Sequence, residues 1–173
     1  MGKLRWFLHV TISGLFVVAL LNTFIGYAST KNDIMLVEIK GAIQPSTADY
    51  LRRVITKAEL NESTALLIEL DTPGGMLEST RRIVTLFLES EVPIITYVAP
   101  YGARAGSAGT FLVAASHIAV MAPTTNIGAA SPVSADGSDL NTTLQSKAIE
   151  DSAALMRSIA DARDRNSTAL EAT

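Results

Sequence analysis

Residues Ala65–Leu70 (ALLIEL) carry one charge and no alternation of polar and apolar positions. A strand of this kind has no face suited to water, so it belongs inside a parallel sheet covered by crossover helices. Asp71-Thr72-Pro73-Gly74-Gly75 follows at once and breaks the strand. An apolar pattern of helical period then runs from Met76 to about Ser90, with Ile83, Val84, Leu86, Phe87 and Leu88 as the buried side. This strand–loop–helix unit constrains the rest of the chain, because a parallel neighbour on either side needs a crossover of its own.

The flanking sequence supplies those neighbours. Ile34–Ile39 (IMLVEI) predicts a preceding strand, and Gly41-Ala42-Ile43 turns the chain. Ser46 is placed to cap a helix to about Glu59, with Tyr50, Leu51, Val54, Ile55 and Ala58 on one face. Pro93 ends the second helix, and Ile94–Val98 (IITYV) predicts a third strand. After Tyr101 to Gly109 come a helix of small and apolar residues to Ala115 and a short strand at Ile118–Met121. A loop rich in Gly, Ser, Thr and Asn leads from Pro123 to about Asn141, and a last helix runs from near Thr142 to about Arg163. The alternation predicts an α/β fold of repeated strand–helix crossover units. No closing strand follows before Thr173, so the expectation is a domain incomplete at its C-terminus, with a sheet edge and a helix face uncovered.

The N-terminus is read separately. Lys3 and Arg5 precede an apolar run from Trp6 to Ile25, and Gly26-Tyr27-Ala28 places small residues at a cleavage site after Ala28. Residues 1–28 are therefore expected to be a signal peptide or an N-terminal membrane anchor, and residues 29–173 the folded domain. The run is long enough to span a bilayer, at ~20 residues. His9, Thr11, Ser13 and Asn22 dilute it and favour cleavage. Either reading places the domain as membrane-associated or exported, on the extracytoplasmic side.

Composition removes several classes of function. Cysteine is absent, so no disulfide, thiolate nucleophile or thiolate metal site is available. Two histidines, His9 and His117, cannot build a multi-His zinc site. A net charge of −3 without a basic cluster argues against a nucleic-acid surface. No P-loop, G-x-G-x-x-G or H-E-x-x-H pattern is present.

Two glycine-rich loops remain as candidates for chemistry: Asp71–Gly75 and Ala105-Gly106-Ser107-Ala108-Gly109. Both follow a strand and precede a helix, where α/β folds place ligands. Glycine lets backbone N–H groups approach a substrate, and helix N-termini add free donors and a positive dipole end. Together the loops can form an oxyanion hole with Ser107 as nucleophile; the same residues also read as a plain turn and a helix cap. His117 lies ten residues beyond Ser107, at the far end of a helix ~14 Å long, too distant to serve as its base. Lysine can take that role where desolvation disfavours its ammonium form. After Ser107 the only lysine is Lys147, among Leu144, Ala148 and Ile149, and it reads either as that base or as an exposed helix lysine.

At Asp71–Gly75, Ala105–Gly109 and Met121-Ala122-Pro123 with Asn126-Ile127-Gly128-Ala129-Ala130, the sequence resembles the NfeD-type membrane-bound serine proteases. These are stomatin-operon partner proteins of the ClpP class, with a crotonase-like fold. The likeness extends over roughly Ile34 to Asn166. It implies Ser107 as nucleophile, Lys147 as general base in a Ser–Lys dyad, and the backbone N–H groups of Gly75 and Ala108 as the oxyanion hole. The position of the ClpP histidine falls near Ala130, in keeping with a lysine base. Signal peptide peptidase A is a related Ser–Lys enzyme. The resemblance further implies peptide hydrolysis without metal or organic cofactor, on hydrophobic segments of membrane-associated proteins such as stomatin-like partners, by a homo-oligomer. Full-length members continue with a closing strand and helix, transmembrane helices and a small β-barrel. Two other readings stand beside it: an acyl-thioester enzyme of the crotonase type, against which the leader argues, and a non-catalytic scaffold or binding module for a membrane partner.

Overall fold

The computed structural model describes residues 33–130 and 142–171. The chain runs β1 (Ile34–Lys40), α1 (Pro45–Leu60), β2 (Ala65–Asp71), α2 (Leu77–Glu89), β3 (Ile94–Val98), β4 (Arg104–Gly106), α3 (Ala108–Ala115), β5 (Ile118–Met121), β6 (Asn126–Gly128), α4 (Thr142–Arg163) and α5 (Ser167–Glu171). The readings of residues 1–28 as leader or anchor lie outside the described residues. Among those residues no helix is long and apolar enough to cross a membrane.

Four strands form a parallel sheet in the order β1-β2-β3-β5. ALLIEL thus occupies an interior strand, as its apolar composition requires. Its register puts Leu66 beside Ile94, Ile68 beside Thr96 and Leu70 beside Val98. All six are essentially inaccessible, and this face carries the core. The opposite face is less covered: Leu67, Glu69, Ile95 and Tyr97 are half-buried, while Leu36 and Ile118 are exposed. β5 is an edge strand with all four residues exposed.

Helices α1 to α4 pack in succession, each on the next. Leu51, Ile55 and Ala58 of α1 and Ile83, Val84 and Phe87 of α2 are buried at helical spacing. Tyr50, expected on that face, is exposed instead. Ser46 does not cap α1. The cap is Gln44, whose backbone N–H donates to Thr47 Oγ1 at 3.2 Å, and Pro45 takes the first helical position. Proline is suited there because its missing N–H has no intrahelical partner to lose. Likewise Met76 caps α2 from outside the helix.

α3 is buried along its whole length, which its run of Ala, Gly and apolar residues permits. Two short strands were not legible as strands: Arg104–Gly106 and Asn126–Gly128 pair in parallel as a second, two-stranded sheet. Three residues are too few to show a period of two. Thr72 bridges this small sheet to the large one, with its N–H on the Arg104 carbonyl at 2.7 Å and its carbonyl accepting from Gly106 at 3.0 Å.

The far end of α4 is held by arginines. Arg163 donates to the carbonyls of Ala115 (2.7 Å) and Phe87 (2.6 Å), and Arg165 to that of Ser116 (2.9 Å). These carbonyls belong to the C-terminal ends of α2 and α3, where acceptors are orphaned and a cation is favoured by the helix dipole.

His117 sits at the amino ends of the strands, at the opposite end from Ser107, as its distance in sequence predicts. Its N–H donates to the Ile94 carbonyl at 2.9 Å, and its Nδ1 accepts from the Ile94 N–H at 3.0 Å. An accepting Nδ1 needs the neutral ring. Burial, and then the charge of Arg163, lower the imidazole below its ordinary value of 6.5. The unfolded chain therefore binds this proton more readily than the folded one. Stability from this group is complete above pH 6.5 and is lost as pH falls through the lower, folded value. Thermal unfolding midpoints should fall between pH 7.5 and 5.5, and the fall should be smaller in His117→Gln; equal falls would remove His117 as the cause.

Candidate active site

A cavity of about 540 Å³ opens at the carboxyl ends of the strands. Its walls come from five places: the β1–α1 loop with the start of α1, the β2–α2 loop with the start of α2, the start of α3, and one residue each from just after β6 (Ala130) and from α4 (Ser152). Its buried lining includes Ile43, Thr80, Ala108, Phe111 and Ser152. Gln44, Pro45, Gly75, Met76 and Glu78 form an exposed rim.

Ser107 lies on this wall at the N-cap of α3. Its backbone is in a rare conformation for a residue with a side chain, φ 47° and ψ −112°. Such a geometry persists only where neighbours enforce it. Here its N–H donates to the Gly128 carbonyl at 2.9 Å, and its own carbonyl accepts from Thr110 at 2.9 Å. The Thr110 hydroxyl in turn faces the carbonyls of Ala105 and Gly128, each at 3.1 Å. The small second sheet thus fixes the elbow that presents the Ser107 side chain.

The two glycines of the β2–α2 loop are required for different reasons. Gly74 has φ +128°, and a Cβ there would stand 2.7 Å from the Ser107 Cβ. Gly75 lies against the β1–α1 loop, where a Cβ would stand 2.2 Å from the Ile43 carbonyl oxygen. That contact is locked on both sides: Ile43 N–H donates to Gly74 O at 2.8 Å, and Met76 N–H to Ile43 O at 2.9 Å. The Thr72 hydroxyl closes the turn, accepting from the Gly74 N–H at 3.1 Å.

Gly75 and Ala108 both line the cavity beside Ser107. Neither N–H has an acceptor among the described residues. Ala108 is the first residue of α3, where an N–H has no intrahelical acceptor. A serine hydroxyl that shares a cavity with two such N–H donors can attack a carbonyl carbon while the donors hold the resulting oxyanion.

Lys147 is not brought to this group. It is exposed on the second turn of α4 and does not line the cavity. Its expected neighbours Leu144 and Ile149 are also exposed. Ala130, near which the resemblance puts the position of the ClpP histidine, does line the cavity. Sequence reasoning missed Met76, Phe111, Ser152 and the β1–α1 loop. The loop carried a signal in its place after a strand. Ser152 carried one in its spacing from Met156, Ile159 and Ala160, a helical core stripe with a serine at one end. Among the described residues no three His, Asp or Glu side chains cluster as a metal site.

The family model described as NfeD1b, N-terminal domain, matches residues 33–173. The chain is 46% identical over 103 residues to the membrane-bound protease PH1510 of Pyrococcus horikoshii, covering 60% of this chain. It spans about a quarter (23%) of that relative's length. Among solved structures, a lysine-to-alanine mutant of the 1510-N membrane-bound stomatin-specific protease, in complex with a substrate peptide, matches with TM-score 0.74. The identity is 39%, over 82% of this chain and 65% of that one. A serine-to-alanine mutant of the same protease matches with TM-score 0.73 at 38% identity, over 82% and 69%. A ClpP1 mutant from Listeria monocytogenes shares the fold, with TM-score 0.60 at 18% identity over 79% and 77%. The α/β architecture is ClpP-like, as the sequence resemblance implied.

The steric argument at Gly75 is directly testable. Gly75→Ala should cost about 2 kcal/mol of stability by driving a methyl into the Ile43 backbone, read from urea unfolding. A variant as stable as the wild type would show that the two loops separate freely.

Proposed function

The chain belongs to the NfeD1b N-terminal domain family, and from that membership we propose that it is a serine endopeptidase acting through a Ser107–Lys147 dyad. The observation that carries the reading is Ser107 on the cavity wall with Gly75 and Ala108, whose N–H groups have no acceptor among the described residues. In this mechanism neutral Lys147 takes the Ser107 hydroxyl proton as the oxygen attacks the scissile carbonyl. The Gly75 and Ala108 N–H groups hold the oxyanion, with the α3 N-terminus adding its positive end. The carbon–nitrogen bond then breaks, and the Lys147 ammonium returns the proton to the leaving amine. Water enters by the same route and releases the acyl group from Ser107.

Lys147 enters on relatedness rather than on its present contacts. In the stomatin-specific protease, the substituted serine and lysine are separated in sequence by nearly the same interval as Ser107 and Lys147. A peptide lying across the cavity mouth would exclude water from the start of α4, and desolvation favours the neutral amine that a base needs. The apolar walls suit a hydrophobic segment, and a stomatin-like membrane protein is the proposed partner, with this chain acting as a homo-oligomer at the membrane. The exposure of Lys147 favours one other reading, a module that binds such a segment without cutting it.

Cleavage of an apolar peptide by the full chain decides between them. Ser107→Ala should lower kcat/KM at least about a thousandfold. Lys147→Ala should lower it a hundredfold or more, on the order of a lost general base. Lys147→Arg should be equally inactive, because guanidinium does not give up its proton. An active Lys147→Arg would move the base elsewhere, and a folded wild type that binds peptide without cleaving it would establish the binding module.

A further inference from the structure

Ser152 is unlike the other buried residues of the cavity. It is 7% exposed, and it stands on α4 in the stripe continued by Met156, Ile159 and Ala160, all buried. Apart from Ser107 and Thr80, the deep lining around it is apolar: Ile43, Ala108 and Phe111. The Thr80 hydroxyl is occupied, donating to the Met76 carbonyl at 2.9 Å. Ser158 on the same helix returns its hydroxyl to the Ala154 carbonyl at 3.1 Å, the usual outlet for a helical serine. Ser152 makes no such bond among the described residues. Its oxygen is not sealed in the core, and it lines the cavity, so its hydroxyl is open to whatever fills that space.

We propose that Ser152 is a specificity-determining residue, selecting a small hydroxyl-bearing side chain, serine or threonine, on the acyl side of the cleaved bond. The inference rests on the protease reading above. The pose proposed has the carbonyl carbon at Ser107, its oxygen toward Gly75 and Ala108, and the acyl-side side chain against the buried lining, Phe111 and Ser152. Phe111, one helical turn after Ser107 in sequence, limits its size. Ser152 supplies the one hydrogen-bonding group left there.

The test uses the full chain and two peptides identical except for threonine or valine at that position. The two side chains differ little in volume, so their ratio of kcat/KM reports the hydrogen bond. The wild type should prefer threonine, and Ser152→Ala should lower the threonine-to-valine ratio about tenfold. An unchanged ratio overturns the assignment. The same pair is titrated calorimetrically into Ser107→Ala. A matching affinity preference that Ser152→Ala removes supports the pocket. Equal affinities with wild-type cleavage intact refute the pocket alone. A wild type that cleaves neither peptide, with equal affinities, refutes both the pocket and the protease reading.

Discussion

The approach of Gly75 to the backbone of Ile43 is the contact on which the site depends. Two loops from adjacent strands come so close that no side chain fits between them. Hydrogen bonds on both sides of the glycine then hold them in register. The Gly75 N–H takes no part in that pairing and has no acceptor among the described residues, and Gly75 lines the cavity. The neighbouring Gly74 is in contact with Ser107, so the third loop joins the same stack. Thr72 completes it, tying the β2–α2 loop to the small sheet that fixes the Ser107 elbow. The donors and the hydroxyl keep their places because backbone, rather than flexible side chains, sets them.

α4 is held in a different way. Its far half is secured by Met156, Ile159 and Ala160 in the core and by Arg163 and Arg165 on the carbonyl ends of α2 and α3. Its near half carries an ion pair between Arg81 and Asp151, both on the surface, which contributes little rigidity on its own. Ser152 lies where packing begins, and Lys147 lies beyond it, in water. The helix is anchored at the end away from the cavity. The segment that bears the proposed base is therefore the part most open to a bound peptide.

Much of the fold was legible. Strands as apolar as ALLIEL and IITYV have few alternatives, and the helical spacing of Leu51, Ile55 and Ala58 matches their burial. The two three-residue strands were not legible, since their pairing exists only between distant segments. The α1 cap fell on Gln44 because Pro45 suits the first helical position and moved the boundary ahead of Ser46. In the site, Ser107 was named from the glycine loops after strands, and Gly75 and Ala108 from the resemblance; all three line the cavity. Ser152 was missed, although its helical spacing from Met156, Ile159 and Ala160 marked it as one end of a core stripe. Lys147 was named by elimination and resemblance, and no local pattern could tell whether its amine meets water.

By itself the sequence determined the parallel α/β architecture, the two glycine loops at the carboxyl ends of the strands, and Ser107 as the hydroxyl beside them. Those follow from hydrophobic composition and from glycine, both local properties of the chain. Only the tertiary structure decided that the Gly75 and Ala108 N–H groups flank one cavity, that Phe111 and Ser152 line its depth, and that Lys147 stays exposed. The reason is physical: burial and hydrogen-bond satisfaction depend on what distant segments place against a residue, and no run of neighbouring letters contains that.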